Sequence, residues 1–339
     1  SGKPADAAEQ AERVAEKLRA SLLQPIELEG YSARVSCSIG IVTFLDHERA
    51  IDDLLKFADT AMYQAKAAGR NTIRFYDPLL QAELESRLKL GEELLQAIGN
   101  EELELHLQRQ VDGTGRVIGA EALLRWRHPV QGMVSPGRFI PLAEDSGLIV
   151  PIGAWVLDRA CALLRSWQDG PATRELVLAV NVSARQFRQP DFVTTVQQSV
   201  MRHGIKPFRL KIELTESIVL ENVEDTINKM RDLKLMGVSF SLDDFGTGYS
   251  SLQYLKRLPL DQIKIDQSFV RDIASDPNDA AIVQTIIAMA DVLGLDVIAE
   301  GVETEAQREF LDLRGCHHFQ GYLFGRPVPV AEFEASLGA

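Results

Sequence analysis

The chain has 339 residues, 45% hydrophobic and 25% charged, with a net charge of −13 from 36 basic and 49 acidic residues. These fractions are those of an ordinary globular protein and exclude a disordered chain, a collagen-like repeat and a disulfide-rich miniature. So acidic a chain repels nucleic acid in general, and its longest charge-free run, between Asp145 and Asp158, is too short to span a bilayer.

Residues 5–24 are rich in Ala, Glu and Leu with apolar positions at helical spacing, which predicts a helix. Ile26–Leu28, a turn at Gly30 and the alternating, β-branched stretch Tyr31–Thr43 predict a hairpin. Ile51–Ala68 reads as a second amphipathic helix closed by Gly69, and Asn71–Tyr76 as a strand. This set of elements is too small for a comfortable independent domain and reads as the back half of something larger. Pro78–Gly99 reads as a linker helix. The expected division is 1–76, a fragment; 77–100, the linker helix; and 101–339, a complete domain.

From Leu103 short apolar runs recur, most of them followed by an amphipathic segment. The predicted strands are Leu105–Gln110, Val117–Trp126, Leu176–Val182, Leu210–Thr215, Ser239–Asp243, Gln262–Ile265, Asp296–Ala299 and His318–Tyr322. Helices are expected at Ala154–Trp167, Phe192–His203, Val223–Leu235, Asp279–Leu293 and Glu305–Leu313. The fold class is α/β, a (β/α)8 barrel. Asp112, Gly113, Thr114 and Gly115 make a tight turn between the first two strands. That pair must therefore be antiparallel, which makes the barrel a modified one.

Residues 1–76 carry 10 basic and 11 acidic residues, so almost all of the negative charge belongs to the barrel. In a barrel the C-terminal strand ends form the active face. Glu121, Asn181, Glu213, Asp243, Asp244 and Glu300 lie in or at the ends of five different strands, with Lys264 on another. One such acid is ordinarily a helix cap or a surface ion pair. Five carboxylates and an amide converging from separate strands read instead as a cage for divalent cations. All-oxygen ligands suit Mg²⁺ or Mn²⁺ rather than Zn²⁺. A set this large can hold two ions, the arrangement that cleaves phosphodiesters.

Residues 101–339 resemble the EAL-domain phosphodiesterases that hydrolyse cyclic di-GMP. The resemblance is carried by Glu121-Ala122-Leu123-Leu124-Arg125-Trp126, Asn181-Val182-Ser183, Glu213-Leu214-Thr215-Glu216, Asp243-Asp244-Phe245-Gly246-Thr247-Gly248-Tyr249-Ser250, Ile263-Lys264-Ile265-Asp266, Glu300-Gly301-Val302-Glu303 and Gln320-Gly321-Tyr322. Residues 1–76 resemble the C-terminal half of a GGDEF (diguanylate cyclase-like) domain, an α+β segment. Its carriers are Ser36-Cys37-Ser38-Ile39-Gly40-Ile41 and Ala58–Asn71. The signature hairpin of that family would precede residue 1, so no cyclase activity is expected of this chain, which reads as the C-terminal piece of a longer protein.

The resemblance implies roles. Glu121, Asn181, Glu213 and Asp243 hold one Mg²⁺ or Mn²⁺ ion, and Asp243 bridges to a second that Asp244 also serves. Lys264 orients the attacking water or offsets charge at phosphorus. Glu300 is a second-ion ligand, an outer-shell group or a general base. Gln108, Leu123, Arg125 and Gln320 contact substrate, with Arg109 standing where the family has proline. Glu216 anchors the glycine-containing loop Phe245–Leu252. The implied product is linear pGpG.

Degenerate family members bind cyclic di-GMP without cleaving it and act as receptors; they lack ligands, and none is missing here. Cys316-His317-His318 is not expected to hold a metal, because neighbouring strand residues point to opposite faces. The three cysteines, Cys37, Cys161 and Cys316, form no Cys-x-x-Cys pair. With no signal-like opening segment, the expected location is the cytoplasm, without membrane contact. Family membership also implies a homodimer through the barrel.

Overall fold

The structure is a computed structural model. It describes residues 4–337 apart from 25, 29–30, 34, 45–49, 77, 217, 219–221 and 247–254. The chain divides into two compact units, Ser1–Lys89 and Leu90–Ala339.

In the first unit α1 spans Pro4–Leu22, β1 Ile26–Leu28, β2 Tyr31–Ala33, β3 Ile39–Ile41, α2 Ile51–Ala67 and β4 Ile73–Phe75. β1 and β2 form the expected antiparallel pair, while β3 runs parallel to β4 in a separate two-stranded sheet. The stretch Tyr31–Thr43 is thus two strands in two sheets rather than one; the turn at Gly30 lies outside the described residues. α2 buries Ala61 and Ala65 completely, and Phe57 stacks on Tyr76 at 4.3 Å. The Arg19 guanidinium ties α1 to the Asn71 side chain at 3.1 Å.

α3 spans Pro78–Ala97, and its Leu90, Leu94 and Ala97 belong to the core of the second unit. There follow β5 (Leu103–Asp112), β6 (Val117–His128), β7 (Gly132–Val134), α4 (Pro136–Ser146), α5 (Ile149–Trp167), β8 (Val177–Asn181), α6 (Ala184–Phe187) and α7 (Phe192–His203). The remainder is β9 (Leu210–Thr215), α8 (Val223–Met236), β10 (Ser239–Phe245), β11 (Gln262–Ile265), α9 (Gln267–Arg271), α10 (Pro277–Leu293), β12 (Asp296–Ala299), α11 (Glu305–Asp312), β13 (His318–Gln320), β14 (Val328–Pro329) and α12 (Val330–Leu337).

Eight strands close in the order β5-β6-β8-β9-β10-β11-β12-β13 and back to β5. β5 is antiparallel to both of its neighbours, and every other junction of the ring is parallel. The turn chemistry is the expected one: Asp112 Oδ1 accepts from the backbone N–H of Thr114 and of Arg116. The strands read as near-continuous apolar runs because both faces are covered, and all four residues of β11 are buried. Helix starts are where cap chemistry puts them. Asp276 caps α10 ahead of Pro277, and Thr304 with Gln307 forms a capping box on α11.

Among the described residues four helices were not expected from the periodicity: α4, α6, α9 and α12. α4 carries Pro141 in its interior, which masks its helical pattern. α9 is only 5 residues long. α12 is held by packing: Phe333 stacks on Trp167 at 5.8 Å, and the Trp167 indole N–H donates to Glu334 at 2.7 Å. Among the described residues no single helix is long and apolar enough to cross a membrane. The apolar pair α4–α5 is bent by 119° and packs on the barrel.

Candidate active site

Register places the chemistry. Glu121 in β6 lies opposite Gln108 in β5, and Gln320 in β13 lies opposite Gln110. Asn181 at the end of β8 pairs with Glu213 in β9. Asp243 and Asp244 end β10, Lys264 lies in β11, and Glu300 follows the last residue of β12. These residues gather at one mouth of the barrel. Gln108, Glu121, Leu123, Asp243, Lys264, Glu300 and Gln320 line a common pocket of about 180 Å³.

Lys264 is the hub. Its side chain is 1% exposed, and its Nζ lies 2.6 Å from Glu300 Oε1, 2.7 Å from Glu213 Oε2, 3.0 Å from Asp243 Oδ1 and 3.8 Å from Glu121 Oε2. Burial opposes the ammonium, but the surrounding carboxylates outweigh it and hold the Lys264 pKa well above its usual range. The acids pay the complementary cost. Burial, helped by the neighbouring carboxylates and opposed by Lys264, pushes Glu213 up to about 8 and Glu300 well above the ordinary range.

Two neighbouring residues of a strand ordinarily face opposite ways. Asp243 and Asp244 escape this because Asp244 adopts a left-handed conformation, φ +55°, at a register break between β10 and β11. Carboxylate oxygens of Asp243, Asp244 and Glu300 consequently lie within 4.8 Å of one another. Burial and then the Asp243 charge raise the Asp244 pKa to about 6.

The donor set fits divalent cations. Among the described residues Glu213 Oε1 is buried without a hydrogen-bond partner, four carboxylates surround the Lys264 ammonium, and the ligand atoms these residues offer are oxygens. Asn181 donates its amide N–H to Glu121 Oε1, which ties its side chain to the cluster. Cys316 instead turns its thiol to the Val297 and His318 carbonyls, and His317 pairs with Asp312. Among the described residues Cys316, His317 and His318 form no metal-binding group.

Of the expected substrate contacts, Arg125 does not line the pocket. It is half-buried, donates to the Leu124 carbonyl at 2.9 Å, and its pKa is lowered by burial. Glu216 is buried, and among the described residues neither of its carboxylate oxygens has a hydrogen-bond partner. Residues 247–252 of the loop it was expected to anchor lie outside the described residues.

The pocket also takes in Gln267, Gly301, Glu303, Gly321 and Tyr322, which received no role from the sequence. Four of them stand inside motifs already noted, Glu300–Glu303 and Gln320–Tyr322, so the signal was adjacency to assigned residues. The Arg326 guanidinium covers the Tyr322 ring at 4.1 Å. Gly321 has no room for a side chain: a Cβ there would stand 2.1 Å from the Val302 carbonyl oxygen.

Residues 91–327 match the EAL domain family, and residues 2–72 match the family of the diguanylate cyclase, GGDEF domain. The bifunctional diguanylate cyclase/cyclic di-GMP phosphodiesterase MucR of Pseudomonas aeruginosa is 45% identical over 98% of this chain and 48% of its own length. The cyclic di-GMP phosphodiesterase NbdA of the same organism is 42% identical over 96% of this chain and 42% of its own. The chain thus spans about half the length of these curated relatives. Among solved structures, the PaMucR phosphodiesterase in complex with c-di-GMP is 48% identical, with a TM-score of 0.70 over 72% of this chain and 99% of that one. The EAL enzyme Bd1971 bound to cAMP and cyclic-di-GMP is 34% identical, with a TM-score of 0.72 over 86% of this chain and 77% of that one.

Proposed function

This chain belongs to the EAL-domain family, and on that premise we propose that it hydrolyses cyclic di-GMP to linear pGpG with the help of two divalent ions, Mg²⁺ or Mn²⁺. The observation that carries the reading is the completeness of the cluster: Glu121, Glu213, Asp243 and Glu300 converge on Lys264. Asn181 and Asp244 stand beside them, and a buried carboxylate oxygen of Glu213 is left over. The division into 1–76, 77–100 and 101–339, a cytoplasmic location and a homodimer through the barrel belong to the same reading.

In this reading Glu121, Asn181, Glu213 and Asp243 hold one ion, and Asp243 and Asp244 the second. When bound, the ions lower the pKa of water and offset phosphate charge. Lys264, held charged by the carboxylates around it, holds the attacking water in place or offsets charge on the phosphorane. Glu300, 2.6 Å from the Lys264 ammonium at the rim of the cluster, serves as base or ligand. Gln108 and Gln320 present amides to the substrate, Leu123 gives an apolar surface for a guanine, and Arg125 reaches a phosphate by turning from the Leu124 carbonyl. Glu216, buried and without a hydrogen-bond partner among the described residues, anchors the glycine-containing loop Phe245–Leu252 through N–H or hydroxyl donors in this reading.

Incubation of the chain with cyclic di-GMP and Mg²⁺ or Mn²⁺ is expected to release pGpG, and Glu121→Ala to abolish it. Tight binding of cyclic di-GMP with no pGpG under several metals would establish the inactive receptor instead. A fully active Glu121→Ala would refute the ligand assignment.

A further inference from the structure

We propose that Gln110, which the reading above does not use, is a positioning residue that sets the orientation of the two amides facing the substrate pocket. The inference rests on the phosphodiesterase reading and extends it to a residue one step behind the site.

Four buried polar side chains form a line across the seam where the barrel closes: Gln110, Gln320, Gln108 and Glu121, all less than 10% exposed. Gln110 Nε2 donates to Gln320 Oε1 at 2.9 Å. Gln320 Nε2 donates to Glu121 Oε2 at 2.5 Å and to Gln108 Oε1 at 3.1 Å. Gln108 Nε2 donates to the Gly325 carbonyl at 3.2 Å.

An amide has a donor end and an acceptor end of nearly equal shape, so each glutamine can be inserted in two ways. Both ends of this line are acceptors only, the Glu121 carboxylate and the Gly325 carbonyl. Gln320 must therefore turn its NH₂ to Glu121, and its carbonyl is left facing β5. Gln110 supplies the donor that this buried carbonyl requires. With Gln320 fixed, Gln108 turns its carbonyl inward and its NH₂ toward Gly325. One assignment satisfies this line of hydrogen bonds, and Gln110 is the member that contacts neither substrate pocket nor carboxylate cluster. Across the strand pair its partner is Gly119, where a Cβ would stand 2.5 Å from the Val177 carbonyl oxygen and in ordinary contact with Gln110 Oε1 at 3.5 Å.

The test uses the full chain with Gln110→Met, which removes the donor, and Gln110→Glu, which keeps the shape but offers an acceptor in its place. Gln320→Met and the double variant Gln110→Met/Gln320→Met complete a cycle. KM and kcat for cyclic di-GMP hydrolysis, its Kd in EDTA and the thermal midpoint are measured. Gln110→Met is expected to lower kcat/KM roughly tenfold, mainly through KM, and to weaken the Kd in EDTA by a similar factor. Gln110→Glu is expected to lower kcat/KM at least as much as Gln110→Met and, because its carboxylate is buried against the Gln320 carbonyl, to lower the thermal midpoint as well. In the Gln320→Met background Gln110→Met is expected to cost nothing further. An equal cost in both backgrounds would overturn the positioning role. If the parent releases no pGpG, the phosphodiesterase reading fails, and the same cycle on the Kd in EDTA still decides what Gln110 does.

Discussion

The ammonium of Lys264 lies 2.7 Å from Glu213 Oε2, and both side chains are sealed from solvent at 1% and 0% exposure. A buried ion pair of this kind contributes modestly while intact, but breaking it by deleting one partner is costly. Lys264→Met leaves Glu121, Glu213, Asp243 and Glu300 facing one another with no cation. In EDTA the variant is expected to lose roughly 3–5 kcal/mol of stability in a urea titration, and divalent metal should return part of that loss. An unchanged urea midpoint in EDTA would show that the carboxylates do not depend on the lysine.

Asp244 separates backbone from charge. Its φ of +55° is tolerated by Asp and Asn but strained for β-branched residues. Asp244→Asn is expected to keep the thermal midpoint while raising the metal concentration for half-maximal hydrolysis. Asp244→Val is expected to lose both, with a stability cost of about 1–3 kcal/mol. Equal metal dependence of the parent and Asp244→Asn would remove Asp244 from the ligand set.

Gly321 holds Gln320 against the cluster through close backbone packing. A Cβ at this position stands 2.1 Å from the Val302 carbonyl oxygen and 2.3 Å from its nitrogen. Gly321→Ala is therefore expected to displace the turn after β13, at a cost of about 1–3 kcal/mol, and to raise KM. A crystal structure of the variant with Gln320 unmoved would contradict this.

His318 gives a pH dependence away from the carboxylate cluster. Burial lowers its pKa from the ordinary 6.5, against the attraction of Asp296. The unfolded chain then binds more protons than the folded one between the two values, so stability rises with pH in that window. The contribution is complete above about 6.5 and is lost as the pH drops through the lowered folded value. His318→Gln is expected to flatten the fall of the thermal midpoint between pH 7 and 5, measured in EDTA. Parallel profiles for variant and parent would assign the acid sensitivity to other groups.

Much of this was legible from the chain itself, because a parallel barrel writes its strands as short apolar runs and its cap residues at fixed spacing. Leu210–Thr215, Gln262–Ile265 and Asp296–Ala299 have the predicted bounds, and the Asp112–Gly115 turn dictates the antiparallel first pair. What escaped was set by packing. α12 has too short a pattern to announce itself and depends on Trp167. Tyr31–Thr43 looked like one strand because β-propensity says nothing about which partner each half will find.

The same division holds at the site. Sequence alone determined which acids, amides and lysine lie at strand ends, since strand position follows from local pattern and turn chemistry. Tertiary structure decided how they meet. Four carboxylates from four strands share one ammonium only because barrel closure brings β6, β9, β10 and β12 around β11. Asp243 and Asp244 face the same space only because a left-handed residue breaks the strand alternation. Gln110 acquires a partner in Gln320 only where β13 closes on β5, across 210 residues of chain. Periodicity is a local property and survives in the sequence; a hydrogen bond between residues so far apart depends on every strand between them.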